Sequence, residues 1–457
     1  MTDLNPRIVD YISHHFGEEY LKLFKEFIQI NYFPYIRIPK RYTHLKIDEK
    51  LKKYHIKLEP VDNVPGAFIV KDGIHNIGKT LEFTVGKYYI QSLSSMIPPI
   101  VMNPTKEDVV LDLCASPGSK TSQIADYMGY RGTFYANESN LDRTKSLVHN
   151  LDRMGLSNLG VIMQKGQLLS KYFDSKFDKI LVDAPCSALG IVQKKGEVGQ
   201  RWSLSEAERI AEIQFKLLVS AIKMAKVGGE IFYSTCTLTL EENEVMLNRI
   251  LKNYPVELGD ITLPVKSVPG FTSFNGEKLN PSIEKSRRII PWEITSEGFF
   301  IAKLIKTGET EKNAPAVLRE ERFEIYPYDH HVVKHYLGGI AKHYGVKPEV
   351  FENFRFLLKG MDVFIIDSLW EAENLSIFER VGLKLGSIDK RNKPHLHSIA
   401  ARILDEQITE NIIVLEEKDD LKTYFSGGTI KRIFKPYGHV VVKYEEYIIG
   451  TALALPE

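Results

Sequence analysis

The sequence predicts an α/β protein built on a doubly wound, mostly parallel sheet with helices on both faces. Between about residues 103 and 306, short apolar runs alternate with longer stretches of helical periodicity, as in consecutive βαβ units. The chain has 457 residues, 43% of them apolar, which is enough for two or three domains with a sizeable core. We therefore expect a smaller α+β N-terminal domain before the sheet and a C-terminal mixed α/β domain after it.

The central alternation predicts the order of the strands and helices. The run VVLDLC (109–114) is the first predicted strand, and a loop with Pro117 and Gly118 separates it from a helix that ends near Met128. The elements that follow are strand 132–138, helix 141–154, strand 159–163, strand 179–183, helix 205–226, strand 230–235, a helix from about Leu240, and strand 298–306.

The flanking regions have weaker patterns. Apolar residues recur at helical spacing between Asn5 and Gln29, and Arg37–Lys57 contains eight basic residues against two acidic ones. Such a basic stretch is more often a solvated helix face than a nucleic-acid contact. After a polar linker at 308–315, the pattern predicts a helix near 332–351 and two late strands, 439–444 and 447–455.

Composition excludes several classes of protein. Lys plus Arg number 60 and Asp plus Glu 59, so bulk charge does not indicate a nucleic-acid partner. Three cysteines without CxxC spacing predict neither a disulfide framework nor a zinc site, and we expect no metal. The polar N-terminus is unlike a signal peptide, and no apolar run of about 18 residues predicts a membrane span. We therefore expect a cytoplasmic protein.

The loop after the first strand is a candidate ligand site. In LDLCASPGSKT (111–121), small residues let the backbone approach a ligand, and the next helix presents N–H groups to it. Glu138 ends the second strand, where an acidic residue can bind ribose hydroxyls. Since the loop is neither GxGxxG nor a Walker loop, S-adenosylmethionine fits better than a dinucleotide or a nucleoside triphosphate. An ordinary turn with a surface glutamate explains these two features equally well.

Two further strand ends contain cysteines. DAPCS (183–187) ends the fourth strand and STCT (234–237) ends the fifth, where a following helix would favour a thiolate at Cys236. A free cysteine is usually a buried structural residue. However, Cys114, Cys186 and Cys236 all lie at carboxyl ends of strands, and these ends meet at one crevice in a doubly wound sheet. Their joint placement favours a chemical role.

Two cysteines and an acid are the groups required to methylate a cytosine carbon. C5 of cytosine is a poor nucleophile, but addition of a thiolate to C6 makes C5 able to attack a methyl sulfonium. An acid near N3 stabilises the adduct, and Asp183 is placed for that role. After methyl transfer the C5 proton leaves and the thiol is eliminated, a release that a second cysteine can assist.

These residues together resemble the RsmB/RsmF and Nop/Sun family of S-adenosylmethionine-dependent RNA 5-methylcytosine methyltransferases. The resemblance covers about residues 60 to 306, with at least five separated motifs in the right order. The motifs are YYIQSLSSMIPP (88–99), CASPGSK (114–120), the Arg143–Gly155 pattern, DAPCS (183–187), STCTLTLEENE (234–244) and GFFIAKLIK (298–306).

The resemblance implies a Rossmann-like class I methyltransferase sheet and a role for each motif. Cys236 would be the nucleophile, and Cys186 the cysteine that assists product release. Asp183 would be the acid near N3, and Lys120 an active-site lysine. The residues implied to bind S-adenosylmethionine are Cys114, Ala115, Ser116, Pro117, Gly118, Ser119, Lys120, Glu138, Arg143 and Asp183, with Glu138 on the ribose.

Two positions depart from the family pattern. Lys165 stands where the family usually has an aspartate near the adenine, so adenine recognition would rely on backbone groups, Gln164 or Gln167. Ala188 stands where the family often has glycine. The first departure concerns the strength of cofactor binding rather than the type of reaction.

The flanks resemble RsmF-like, three-part bacterial members. This layout implies an N-terminal RNA-binding extension (1–95), a catalytic domain (96–307) and a C-terminal PUA-like RNA-binding domain (316–457). Beside such a catalytic domain, phosphate contact by Arg37–Lys57 becomes a reasonable expectation. The layout favours 16S ribosomal RNA, or the pre-30S particle, as the substrate, with transfer RNA second.

Other functions stay open at this point. A DNA cytosine-C5 enzyme would place its nucleophile in the Pro-Cys of the fourth strand, whereas the Thr-Cys of the fifth favours RNA, so no DNA partner is expected. A non-catalytic RNA-binding ribosome assembly factor would have the same fold without the chemistry. Retention of both cysteines, Asp183 and Lys120 argues against it.

Overall fold

The computed structural model describes residues 4–318, 323–389 and 393–456. The predicted outer domains, 1–95 and 316–457, each include a few residues outside these ranges. Within the described residues, the largest element is a ten-stranded sheet in the middle of the chain. A four-stranded sheet precedes it, and sheets of five and three strands follow it.

The N-terminal region begins with two helices instead of the single helical stretch predicted over 5–29. Gly17 separates them with a φ of +87°, which glycine adopts readily. The elements are α1 (Pro6–Phe16), α2 (Glu18–Gln29), β1 (Tyr35–Arg37), α3 (Ile47–Lys50), β2 (Lys57–Pro60), β3 (Ala67–Asp72), α4 (Leu81–Thr84), β4 (Tyr89–Ile90) and α5 (Leu93–Met102). The four strands form an antiparallel sheet in the order β2-β3-β1-β4.

The central region has the predicted alternation of strands and helices. Its elements are β5 (Val110–Asp112), α6 (Ser119–Tyr127), β6 (Phe134–Asn137), α7 (Leu141–Arg153), β7 (Leu159–Ile162), β8 (Phe177–Asp183), α8 (Gly196–Arg201), α9 (Leu204–Met224), β9 (Ala225–Thr235), α10 (Glu244–Asn253), β10 (Val256–Gly259), β11 (Val268–Pro269), β12 (Ser273–Phe274), β13 (Glu277–Lys278), β14 (Arg287–Ile289), α11 (Pro291–Ile294) and β15 (Phe299–Lys306). Helix α5 crosses the predicted boundary between 95 and 96, and that division stays a prediction.

The sheet topology places the candidate residues. Strands β7, β6, β5, β8 and β9 are parallel, and β15 pairs antiparallel with β9. The chain moves outward from β5 through β6 to β7 and then returns to β8 on the other side of β5. Ligands of such sheets bind outside the carboxyl ends of the strands at this switch point. Here those ends belong to β5 and β8.

The C-terminal region forms sheets of its own and also adds one strand to the central sheet. Its elements are β16 (Ile325–Pro327), α12 (His331–Tyr344), β17 (Phe354–Lys359), β18 (Asp362–Asp367), β19 (Phe378–Val381), β20 (Leu383–Ile388), β21 (Pro394–Leu396), α13 (Ser398–Ile403), β22 (Ile412–Leu415), α14 (Lys418–Phe425), β23 (Gly438–Tyr444) and β24 (Tyr447–Ala454). The helix predicted near 332–351 ends early, because Gly345 leaves it in the left-handed conformation. Strand β19 pairs antiparallel with β7 and extends the central sheet.

The basic stretch 37–57 is not a single solvated helix face. Arg37 is buried and donates to Gln91 and Ser122. Lys50 and Lys53 form ion pairs with Glu446 and Glu445 at the β23–β24 turn. Lys50 and Lys53 therefore link the N-terminal region to the C-terminal region.

The described residues contain neither a membrane-spanning helix nor a cluster of metal ligands. Among the described helices, none has the length and apolar composition to cross a membrane. In the same part of the chain, no group of three or more His, Cys, Asp or Glu side chains is arranged to hold a metal ion.

Candidate active site

A cavity of about 520 Å³ lies at the carboxyl ends of β5, β8 and β9. The loop after β5 and the N-terminal region both contribute walls, and the residues most relevant to chemistry are Tyr32, Asp112, Cys114, Lys120, Asp183 and Cys236. A larger cavity, about 950 Å³, lies among β22, β23, β24 and α14 and includes none of the predicted site residues. The chemistry therefore points to the smaller cavity.

The cysteines that follow β8 and β9 meet beside this cavity. Cys186 Sγ lies 3.1 Å from Cys236 Sγ, and both thiols are free. Hydrogen bonding to Cys236, together with burial, raises the pKa of the Cys186 thiol well above its ordinary value. The expected helix N-terminus beside Cys236 is absent, because α10 begins only at Glu244. That part of the sequence prediction was wrong.

Asp183 lies at the end of β8 and accepts two hydrogen bonds. Lys120 Nζ donates to its Oδ2 over 2.8 Å, and Ser234 Oγ donates to its Oδ1 over 2.8 Å. Lys120 also donates to Ser95 Oγ at 2.8 Å, and its side chain is 9% exposed. The ammonium group therefore has two fixed partners in a mostly dry setting, where a charge pair is stronger than in water.

The loop Cys114–Gly118 is held from outside by α7. Ser116 Oγ donates to the Arg143 carbonyl, and Arg143 donates back to the Ser116 carbonyl at 3.0 Å. Asn150 donates to the Pro117 carbonyl at 2.9 Å. Gly118 has a φ of +104°, and an added Cβ would lie 3.2 Å from Leu147 Cδ1. The loop is thus fixed in position, with Cys114, Ala115, Ser116, Pro117 and Ser119 on the cavity wall.

Glu138 is buried at the end of β6 and is already engaged within the protein. Its carboxylate accepts the Asn140 N–H at 3.0 Å and forms an ion pair with Arg143 at 3.2 Å. Glu138, Arg143, Gly118 and Cys186 do not line the cavity itself. Cys186 reaches it only through its contact with Cys236.

The cavity has the features that S-adenosylmethionine requires. Asp112 is 1% exposed, and its Oδ2 accepts from Thr121 Oγ1 at 2.7 Å. Within the described residues, its Oδ1 has no partner of normal hydrogen-bond geometry. Burial raises the pKa of this carboxyl to about 7. A buried, unpaired carboxylate oxygen beside a small-residue loop suits a ligand with amino and sulfonium charges.

The part of the site expected to bind adenine has fewer groups free to contact a ligand. Lys165 is exposed and does not line the cavity. Asn137 binds both the backbone carbonyl and the N–H of Gln164, at 3.0 and 3.1 Å. These two backbone groups are therefore occupied, and the Gln164 and Gln167 side chains stay the predicted contacts for adenine.

Sequence reasoning missed several residues that complete the site. Ser95 and Ser234 fix Lys120 and Asp183, and Asp112 supplies the unpaired oxygen. Ser95, Asp112 and Ser234 all lie inside stretches that the sequence already singled out, so a closer examination of those stretches could have found them. Tyr32 and Lys194 also line the cavity, but no sequence signal indicates this.

The sheet order, the loop after its first strand and the cavity define a class I S-adenosylmethionine-dependent methyltransferase. Residues 99–305 match the family model for 16S rRNA methyltransferase RsmB/F. Ribosomal RNA small subunit methyltransferase F of Shewanella loihica is 32% identical over 404 residues, which cover 86% of this chain and 80% of that protein. The chain belongs to the RsmB/F family.

Two further comparisons agree with this assignment. The tRNA (cytosine(49)-C(5))-methyltransferase of Pyrococcus abyssi is 35% identical over 274 residues, 60% of this chain and 88% of that protein. The crystal structure of a methyltransferase homologue from Pyrococcus horikoshii superposes with a TM-score of 0.58 and 29% identity, covering 67% of this chain and 96% of that one.

Proposed function

We propose that this protein transfers a methyl group to C5 of a cytosine in RNA, through a covalent bond between Cys236 Sγ and cytosine C6. The observation that supports this most directly is the arrangement of one cavity. A free cysteine, Cys236, lies on the wall that also holds the Lys120–Asp183 ion pair, and a second cysteine touches the first. These are the nucleophile, the acid–base group and the auxiliary thiol that the reaction needs.

The protein's residues act at defined atoms of the base. Cys236 Sγ adds to C6, and the Lys120–Asp183 pair keeps a proton within reach of N3, where negative charge develops. S-adenosylmethionine, when bound, supplies an electrophilic methyl group for C5. The C5 proton then leaves to a general base, the bond between Sγ and C6 breaks, and the C5–C6 double bond forms again.

Cys186 has the properties of an acid in the release step. Because its pKa is raised, it is a thiol at neutral pH. Its Sγ lies 3.1 Å from that of Cys236, so it can donate its proton to the departing Cys236 thiolate. The base that took the C5 proton then passes it to Cys186. Since Cys236 gave up its own proton to solvent on attack, both cysteines end as thiols and one proton is released for each methyl group transferred.

The cofactor would be held by the loop 114–120, with Asp112 and Asp183 at the charged end of the molecule. Glu138 would bind the ribose after exchanging its contact with Arg143. Arg143 would then act on the loop through Ser116, as it does here.

We propose 16S ribosomal RNA as the substrate. The similarity to Ribosomal RNA small subunit methyltransferase F extends over 86% of this chain and so includes much of the C-terminal region. The similarity to the transfer RNA enzyme covers 60%. We further propose that region 316–457 is a PUA-like RNA-binding domain, and that the segment 1–95 contacts RNA through Tyr32 and Tyr35 at the cavity rather than through its paired basic residues.

The test is nucleoside mass spectrometry on ribosomal and transfer RNA incubated with the protein and isotope-labelled S-adenosylmethionine. Labelled 5-methylcytosine in ribosomal RNA, absent with Cys236→Ala, is the expected result. Label confined to transfer RNA would keep the reaction and replace the substrate. Label in neither RNA, with cofactor binding intact, would favour an assembly factor without catalysis.

The covalent step has its own test. Cys186→Ala should accumulate a protein–RNA adduct that survives denaturant and appears as a band shift, because release is slowed while attack is not. The double variant lacking both cysteines is the control and should give no adduct. An active Cys186→Ala protein without any adduct would exclude the proposed release role.

A further inference from the structure

Glu242 and Asn243 form a buried polar pair immediately before α10, behind the two cysteines. Both side chains are fully buried. They belong to the stretch LTLEENE that follows Cys236, for which the proposed reaction gives no role. Burying a carboxylate is costly unless hydrogen bonds satisfy it, so the contacts of this pair indicate what it does.

The Glu242 carboxylate accepts hydrogen bonds from four donors. The Ser187 N–H donates over 2.9 Å, and the Ser187 hydroxyl donates as well. Thr239 Oγ1 and Gln214 Nε2 each donate over 2.8 Å. Gln214 also donates to the Pro185 carbonyl at 2.8 Å. Both chain neighbours of Cys186 are therefore tied, directly or through Gln214, to one carboxylate.

Asn243 binds the backbone and side chain on either side of Cys236. Thr235 Oγ1 donates to Asn243 Oδ1 at 2.6 Å, and Asn243 Nδ2 donates to the Thr237 carbonyl at 3.1 Å. The hydroxyls of Ser187 and Thr237 lie 2.9 Å apart and join the two networks. The loop with Cys186 and the loop with Cys236 are thus held by consecutive residues of the chain.

Such a network restricts the positions of both thiols. A buried set of hydrogen bonds in which every member is satisfied has one low-energy arrangement. Two loops fixed to one rigid anchor keep a constant separation. A displacement of about 1 Å in a reacting group can lower a rate by about a hundredfold. The contact between the sulfurs therefore needs an anchor of this kind.

We propose that Glu242 and Asn243 are positioning residues that hold Cys186 and Cys236 at a constant separation. Glu242 fixes the loop of Cys186, and Asn243 fixes the loop of Cys236. The inference rests on the proposed function for its catalytic meaning, but the contact between the thiols can be measured without RNA. Neither residue touches the substrate cavity.

The first test measures two steps of turnover separately: formation of the Cys236 adduct and release of the methylated RNA. In Glu242→Gln one acceptor oxygen is replaced by an NH₂ group that must face donors, so the loop of Cys186 loosens. We expect release to slow about tenfold and adduct to accumulate, with KM unchanged. Asn243→Ala should instead slow formation of the adduct. Glu241→Gln is the matched control, because Tyr11 can still donate to the amide oxygen there. Equal losses in attack, release and cofactor binding would mean a merely structural role and overturn the proposal.

The second test uses the free protein and diamide, a diazene oxidant. Each thiol gives up one hydrogen, the diazene becomes a hydrazine, and a disulfide forms between the cysteines. Its rate, followed by mass spectrometry, reports how often the two sulfurs meet. We expect Glu242→Gln to form the Cys186–Cys236 disulfide about tenfold more slowly than wild type and Glu241→Gln. Equal rates in all three proteins would refute the inference, whether or not the wild type methylates RNA.

Discussion

The Lys120–Asp183 pair gives the sharpest prediction of activity. In the structure, Lys120 Nζ and Ser234 Oγ each donate to a different oxygen of the Asp183 carboxylate over 2.8 Å. In Asp183→Asn the amide has only one oxygen to accept from these two donors. The Lys120 side chain is 9% exposed, so water compensates poorly for the lost partner. An uncompensated buried charge costs about 3–5 kcal/mol. Loss of a positioned proton donor lowers a rate by about 10²–10⁴, which corresponds to about 3–5 kcal/mol of barrier.

We therefore expect Asp183→Asn to lower kcat/KM for RNA methylation at least a hundredfold and to prevent adduct formation. Ser234→Ala is the control, because it removes a single neutral donor and leaves the ion pair, with an expected loss of about tenfold or less. The assay is single-turnover transfer of labelled methyl groups, with cofactor binding measured in parallel. A rate for Asp183→Asn within tenfold of wild type, or an equal loss in Ser234→Ala, would refute the assignment.

Three further predictions concern stability. Burial raises the pKa of Asp112 to about 7 from 3.8, so its stabilising contribution is present below about pH 4 and is lost as pH rises through 7. Asp112→Asn, which cannot ionise, should therefore lose less stability than wild type between pH 5 and 8 in urea titrations, by up to about 2.7 kcal/mol. An identical pH dependence would contradict this. Trp370→Ala should lower the free energy of unfolding by about 3–5 kcal/mol, since the indole is fully buried against Tyr135. Calorimetry measures this loss, and an unchanged unfolding transition would contradict the prediction. Gly86→Ala should lower the melting temperature, because an added Cβ would lie 1.9 Å from the Arg153 carbonyl oxygen at a φ of +76°. The open Gly129 is its control.

The central fold could be predicted because its signals are local. The apolar runs predict both ends of β8 and β15 to within two residues. Helical periodicity predicts both ends of α7 and α9 equally closely. The start of α10 could not be predicted in the same way. Tyr11 from α1 accepts the Leu240 N–H at 2.9 Å, and the residues that follow bind other segments, so the helix begins at Glu244. A contact across 229 positions leaves no local pattern in the sequence.

The same limit explains the basic stretch 37–57. Its charge is visible in the sequence, but the partners Glu445 and Glu446 lie about 390 positions away. Exposed ion pairs of this kind stabilise by at most about 1 kcal/mol each. They nevertheless orient the N-terminal and C-terminal regions toward each other, and they leave less positive charge for RNA than a count of residues suggests.

Topology predicts that the cysteines converge, but no local pattern in the sequence predicts that a strand after residue 316 joins the central sheet. Strand β19 pairs with β7 and so covers an edge that would otherwise expose unpaired backbone groups. Gly160 in β7 has no room for a side chain, because an added Cβ would lie 2.6 Å from the ring of Phe378 and 2.8 Å from that of Trp370. Trp370 also donates to the Phe134 carbonyl in β6. The region after 316 is therefore part of the structure that supports the catalytic sheet, and RNA bound by that region would be held in a fixed relation to Cys236.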